Sequence, residues 1–414
     1  MRMKKLMIFA VAAIALVACS KEFDTNKSAS NGTAIGFRTW TETLTKTVAD
    51  PTNPRVQGTN FFRSGDGIVV YGSKTDTDPD PDVTSVVFDG VDVVATAEGG
   101  DPVAATAWDY NNHRFWDANA ESYTFFAVSP KAKLATTTTT ATDGAFVSSS
   151  LDFTGAVNDI LVADKVVVNK GSAPYFNNYA TVNLIFNHAA ALVDLHVKKA
   201  PSLADAAVKV SAIAISNVKK TGVLELTSAK YNKTISTRTT VPNITVAEWT
   251  ASAPGTYLPA EGVNPVYGDV STSAAIAVGN EKVITTDTDF DAASPATPAA
   301  STILFNNLVV VPQTFVAPSD RSNPEDASNA NAQKVTITYT ITPDGGDTNT
   351  YTSTLWLYDF DGVDNDTQAA TYIGSWAPGK HYIFYITIDA HEIKFSASIN
   401  PWEETISGYN YLLN

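Results

Sequence analysis

Catalysis needs acids, bases and nucleophiles at workable spacings, and few stretches of this chain offer them. His391-Glu392 opens like the helix of a zinc protease, where two histidines four residues apart hold the metal and the Glu activates water. The place of the second histidine is taken by Phe395, and the residues around it alternate as in a strand, so this reading is rejected. Asp194 and His196 lie two apart on one strand face and could be half of a catalytic pair, but no Gly-x-Ser-x-Gly turn supplies a nucleophile. The pair reads as a solvated strand face. Asp359 to Asp366 gathers hard oxygen ligands without the closing Glu of a calcium loop and reads as an acidic turn, as do Asp76, Asp78, Asp80 and Asp82. Trp108, Trp116, Trp249 and Trp356 could form a sugar-binding platform, with core packing the preferred reading. Nothing here gathers acid, base and nucleophile. The residues argue for no enzyme, no cofactor and no metal site.

The elements that carry these residues are strands. In Ile393-Lys394-Phe395-Ser396-Ala397-Ser398-Ile399, apolar residues fall on one parity and polar ones on the other, the mark of a strand with one buried face. The strand before it, Lys380 to Asp389, joins it without a Gly- or Asn-bearing hairpin loop, so the two need not pair. A terminal strand of this kind is either a sheet edge or a strand offered to a neighbour.

At the other end, Arg2, Lys4 and Lys5 precede an apolar run from Leu6 to Ala18 that is too short to span a bilayer and has the layout of a secretory signal. Leu16-Val17-Ala18-Cys19 resembles a lipobox, with cleavage before Cys19 and the lipid on it. Cys19 is the only cysteine, so no disulfide framework accompanies export. Ser20 to Asp24 resembles the signal that carries some lipoproteins to the cell surface, and Lys21 to Asn31 is a polar tether.

The formal charge of the chain is −15, and loss of residues 1–18 removes three bases and no acid. Such a surface repels nucleic acid and offers anionic lipid no basic patch, so the membrane contact expected is the lipid itself. With 44% hydrophobic residues the chain can bury sizeable cores. The mature chain, without its leader, is too long for one sandwich and suits two domains.

Along the chain, Ile68 to Tyr71, Ser122 to Val128, Asp159 to Ala163 and Val182 to His188 read as strands. So do Leu192 to Val197, Val208 to Ile215, Gly222 to Leu226, Ala274 to Val278, Ile303 to Val311, Lys334 to Ile341 and Tyr351 to Tyr358. No stretch holds a helical repeat over three turns. Gly171 to Asn178 reads as the joint, Val182 as the start of the second domain, and a bulge is expected near Asn187 to Ala190. Strands with long polar loops and no helices argue all-β, antiparallel β-sandwiches. Residues 34–37 form a short apolar piece ahead of a loose linker bearing Arg55 between Pro54 and Val56, where proteases cut.

Several of these stretches together resemble the fimbrillin family, the subunits of type V pili. They are the lipobox at Cys19, Ala34-Ile35-Gly36-Phe37 before an Arg-bearing linker, Gly65 to Gly72, Tyr123 to Pro130 and Leu184 to Leu192. Val309 to Gln313, Trp376 to Tyr382 and Ile393 to Trp402 continue the likeness over nearly the whole mature chain. The resemblance implies two tandem transthyretin-like sandwiches, at 34–178 and 179–390, after a signal peptide (1–18) and a lipidated tether (19–33). It implies an outer-membrane lipoprotein at the cell surface, an Arg-specific protease that removes the first strand by cutting after Arg55, and Arg38 or Arg63 as alternatives. It also implies a donor segment, 391–414, whose Ile393, Phe395, Ala397, Ile399 and Trp402 fill a neighbouring subunit's groove. The partners implied are other pilin subunits and a host or microbial surface ligand, with no enzymatic activity. A glycan-binding surface lipoprotein that does not polymerise is the alternative.

Overall fold

The computed structural model describes residues 34–41, 67–76, 83–97, 105–129, 146–147, 150–152, 160–171, 181–226, 249–251, 254–257, 282–284, 302–323, 326–364, 369–390 and 393–401. Among these residues the fold is all-β, with three single-turn 3-10 segments at Pro201–Leu203, Ala327–Asn329 and Leu357–Asp359. Pairing is antiparallel except at three places.

The first strands are β1 (Phe37–Thr41), β2 (Gly67–Asp76), β3 (Val83–Ala97), β4 (Ala105–Asp109) and β5 (Ala120–Ser129). After them come β6 (Phe146–Val147), β7 (Leu151–Asp152), β8 (Leu161–Ala163), β9 (Val166–Asn169) and β10 (Val182–His188). One sheet runs β1-β10-β8-β5-β2-β3-β4, with β9 also on β5. Its inner face is built on strand alternation: Ile68 and Val70, Phe125 and Ala127, Leu184 and Phe186 all point into one cluster. The reverse face is also apolar at Val69, Tyr71 and Phe126, where the last two rings stack at 5.1 Å.

The later strands are β11 (Ala191–Lys199), β12 (Ala207–Lys219), β13 (Thr221–Leu226), β14 (Trp249–Ala251), β15 (Pro254–Tyr257) and β16 (Lys282–Ile284). Then come β17 (Thr302–Val310), β18 (Gln313–Thr314), β19 (Lys334–Thr342) and β20 (Asn349–Trp356). The last are β21 (Asp361–Asp364), β22 (Ala369–Tyr372), β23 (Ser375–Trp376), β24 (Lys380–Ile388) and β25 (Ile393–Pro401). A sheet ordered β17-β11-β24-β25-β21-β22 and a sheet ordered β15-β12-β19-β20, with β16 on β12, share a second cluster. Val193 and Leu195 of β11 and Phe384 and Ile386 of β24 meet Val208 and Ile213 of β12 and Val335 and Ile337 of β19 there.

These pairings bear on three of the expectations. Val182–His188, expected to open the second domain, hydrogen-bonds as β10 to β8 and β1 in the first sheet. The irregularity near Asn187 to Ala190 is not a bulge inside one strand but the crossing between sheets. It is pinned on both sides, the Ala189 N–H donating to Ile160 O (2.9 Å) and the Gly379 N–H to Ala190 O (2.8 Å). Gly379 has a φ of +68°, a conformation that favours glycine, and a Cβ there would stand 3.4 Å from His188 O. Residues 178/179 therefore do not divide the sheets. A further link runs the other way, since β6 and β7 from the first half pair with β13. Alternation reads alike on both sides of such a crossing, and only pairing assigns the strand. Third, β24 and β25 do pair, from Ile388↔Ile393 to Lys380↔Pro401. The Asp389 carboxylate accepts the Ala390 N–H at 2.6 Å and the Ser202 hydroxyl, doing the turn work that Gly or Asn does elsewhere.

The stretches that carry the family resemblance turn out to hold joints. The buried Gln313 side chain accepts the Lys219 N–H at 2.8 Å and donates to Lys219 O and Val311 O, tying β12 to β18 like a piece of main chain. The Tyr382 hydroxyl accepts the Ala377 N–H at 2.8 Å, and the Ser129 hydroxyl donates to Gly67 O at 2.8 Å.

Candidate functional site

The site is built around β1. The chain enters it through Ala34, which bridges to Phe115, and the Ile35 N–H donates to Arg114 O at 2.8 Å. On the other side the Val182 N–H donates to Gly36 O at 2.8 Å, and β1 then runs parallel to β10, Phe37↔Val182 to Thr41↔Phe186. Parallel neighbours of so short a strand are uncommon outside helix-covered sheets. Here β1 and the residues before it fill the seam between β10 and the chain just past β4.

Two side chains plug that seam. Ile35 is fully buried and Phe37 is 3% exposed. The Phe37 ring lies 5.3 Å from Phe88 edge-on, and 5.9 Å from both Tyr110 and Phe125. The Tyr110 hydroxyl donates to Ile35 O at 2.7 Å, and burial raises its pKa. The Arg114 guanidinium sits 5.9 Å from the Phe88 ring centroid and donates to Val87 O, closing the outer side. In the sequence Tyr110 and Phe125 stand out only as part of the aromatic crowding from Trp108 to Phe126, with no role assigned, and nothing marks Phe88.

β25 lies between β24 and β21, antiparallel to the first and parallel to the second, Gly362↔Ala397 to Asp364↔Ile399. Ala397 is 1% and Ile399 7% exposed, with Ile393 packed on the same cluster. Phe395 falls within β25, opposite Ile386. Cys19, Arg55, Arg63 and Trp402 lie outside the described residues. Arg38 lies inside β1, opposite Asn183.

The rejected chemistries also find their places. Asp194 and His196 are not a solvated face: they are 7% and 3% exposed. β11 and β24 run parallel, the third such pairing in the fold, and this brings His381 against Asp194, Nε2 to Oδ2 2.8 Å. His196 stands edge-on to Tyr385 at 5.7 Å. Desolvation lowers the His196 pKa to about 4, the attraction of Asp194 only partly opposing it, and burial raises Tyr385 to about 12. His391-Glu392 lies outside the described residues. Asp359 is held by Arg321 through two hydrogen bonds of 2.7 and 2.6 Å, and Asp76 by Lys74 at 3.0 Å. Trp116 and Trp356 are buried. Among the described residues no three His, Cys, Asp or Glu side chains are grouped to hold a metal ion.

No curated protein matches the chain in sequence. Among solved structures, a fimbrial protein from Bacteroides vulgatus is 16% identical with a TM-score of 0.42, over 89% of this chain and 99% of that one. The tip fimbrial protein Mfa3 of Porphyromonas gingivalis, truncated at its C-terminus, is 10% identical with a TM-score of 0.30, over 82% and 95%. The model of the family described as fimbrillin-like matches residues 54–402, and the chain belongs to that family.

Proposed function

We propose that this fimbrillin-like chain is a structural or adhesive subunit of a cell-surface fimbrium, exported as a lipoprotein through Cys19 and assembled by strand exchange that proteolysis triggers. The seating of β1 carries the reading. A strand of five residues, with one β-sheet neighbour among the described residues, covers a slot that Phe37 and, just before the strand, Ile35 fill. A cut after Arg55 by an Arg-specific surface protease frees everything before it, and the family match begins at residue 54, beside that arginine.

The strand that replaces β1 comes from the C-terminal segment of another subunit. Ile393-Lys394-Phe395 repeats the Ile-x-Phe spacing of Ile35-Gly36-Phe37, so the same two side chains reach the same face. In the neighbour's slot Ile393, Phe395 and Ile399 are worth ~2 kcal/mol each, with main-chain bonds along the open edge of β10 and Trp402 beyond them, but Ile393 and Ile399 give up a like burial in their own cluster, so the exchange is close to balanced. The entropy of ordering the incoming strand weighs against it. Because β25 starts between β24 and β21, it has to be drawn out of its own sheet first. That barrier, rather than affinity, sets the pace of assembly and the lifetime of the product. Until the cut, β1 protects an edge that would otherwise aggregate.

The test is limited proteolysis of the full chain. A low dose of trypsin is expected to release the segment ending at Arg55 and to start ladders on a gel that withstand mild heating, and Arg55→Ala is expected to abolish both. A chain that loses the segment and stays a monomer would refute strand exchange.

A further inference from the structure

The loop between β4 and β5, residues 110–119, is held by contacts that do not involve β1. The Asp109 carboxylate accepts the Tyr110 N–H at 2.8 Å and stands 2.9 Å from His113 Nε2, and Asn112 turns the chain with a φ of 56°. The Arg114 guanidinium donates to Val87 O of β3, Trp116 stands edge-on to Tyr123 at 4.9 Å, and the Asp117 N–H donates to the Tyr123 hydroxyl at 2.7 Å. The Tyr110 hydroxyl is fixed in turn by the Arg114 N–H, which donates to it at 3.2 Å. Each of these contacts persists when β1 departs, so the loop is a preformed surface.

That departure uncovers three points on the loop. Arg114 O loses the Ile35 N–H, Phe115 loses its bridge to Ala34, and the Tyr110 hydroxyl loses Ile35 O, keeping only the longer contact to Arg114 O at 3.4 Å. The N–H and C=O of a single incoming residue satisfy that acceptor and that donor together. Two residues further on, the rings of Phe88, Tyr110 and Phe125 surround the place of Phe37. Between the two, Gly36 sets no steric limit, since a Cβ there stands 3.7 Å from Thr181 Cγ2, an ordinary contact.

We propose that this loop is the receptor that sets the register and direction of the donated strand: Ile393 of a second copy takes the place of Ile35, and its strand runs as β1 does, parallel to β10. The proposal rests on the strand-exchange reading and goes beyond it in naming where the strand is gripped. Register is selected by the ring pocket. Phe395 is the only Phe, Tyr or Trp between Tyr385 and Trp402, so a shift by two residues leaves the pocket without a ring, and a shift by one turns the apolar parity outward. Direction is selected by Ile35, which is fully buried. With Phe395 in the pocket, the direction of β1 brings Ile393 to that place, whereas the opposite direction brings Ala397 and leaves a cavity. Lys394 then takes the open place of Gly36, and Glu392 comes opposite Phe115. Ala397 and Ile399 take the places of Thr39 and Thr41, opposite Leu184 and Phe186 of the same buried cluster.

The test uses the full chain with Cys19→Ser, which removes the only cysteine, cut by trypsin at low dose under mild oxidation. With Phe115→Cys and Glu392→Cys added, the ladders are expected to become disulfide-linked and to survive boiling until reduced. With Phe115→Cys and Ser398→Cys, the pair that the opposite direction brings together, they are expected to stay unlinked. Phe115 is exposed, so its replacement leaves the core filled. Tyr110→Phe removes one hydrogen bond of the grip and is expected to speed dissociation of the ladders about fivefold. Ladders left unlinked at Glu392, ladders linked at Ser398, or an unchanged rate for Tyr110→Phe would each overturn the proposal while strand exchange itself stands. A cut chain that forms no ladder would overturn both.

Discussion

The hydroxyl of Tyr110 donates a 2.7 Å hydrogen bond to the main-chain carbonyl of Ile35, tying the residue that enters β1 to the chain past β4. This bond and the Phe37 ring are two of the restraints that seat β1.

Tyr110→Phe is expected to cost about 1 kcal/mol, which by local opening reduces amide protection at Ile35 and Phe37 roughly fivefold. Phe37→Ala, which empties a pocket lined by three rings, is expected to cost about 3–5 kcal/mol in denaturant unfolding. Hydrogen exchange that leaves the β1 amides as protected in both variants as in the parent would contradict the seating described.

Gly72 lies where β2 crosses the Phe125 ring. A Cβ there would stand 2.8 Å from Phe125 Cδ1 and 3.1 Å from Thr124 O, the latter main chain that cannot yield easily. Gly72→Ala is therefore expected to destabilise by about 1–3 kcal/mol, read as a lower urea midpoint. Gly67→Ala, with nothing within 4 Å, serves as the control.

His196 makes stability fall with acid. Desolvation holds its folded pKa near 4, below the ordinary 6.5, so the unfolded chain binds the proton more readily. Its contribution is complete above pH 6.5 and is lost as pH falls from there toward 4. By about pH 4.5 the loss is about 2–3 kcal/mol. Urea titrations at about pH 7.5 and 4.5 measure it, and His196→Leu is expected to flatten the difference by that amount. An unchanged difference would show that other groups govern the acid response.

Thr387 and Lys394 face each other across β24 and β25. A disulfide from Thr387→Cys with Lys394→Cys, in the Cys19→Ser chain, holds β25 in its own sheet. If β25 is the donated strand, the locked chain stays monomeric after trypsin and forms ladders once reduced. Ladders from the locked chain would assign donation to residues beyond Pro401.

Much of the fold could be read from the residues one stretch at a time. The period-2 alternation in Ile68 to Tyr71, Lys334 to Ile341 and Ile393 to Ile399 marks strands with a buried parity, because a pleated backbone sends successive side chains to opposite faces whatever its neighbours are. The same local logic identified Ile35 and Phe37 as an apolar piece ahead of a polar linker, and the motif order pointed to the family. Which strand lies beside which was not legible. Nothing in Val182 to His188 says that it belongs with β8 and β1, nothing in Asp194 names His381 as its partner, and nothing in Asp389 announces a hairpin into β25. Those relationships join residues far apart in the chain or depend on one carboxylate closing a turn. They are decided when main-chain donors and acceptors across the whole molecule find partners at once, a condition that alternation alone satisfies in many ways and the packed structure in one.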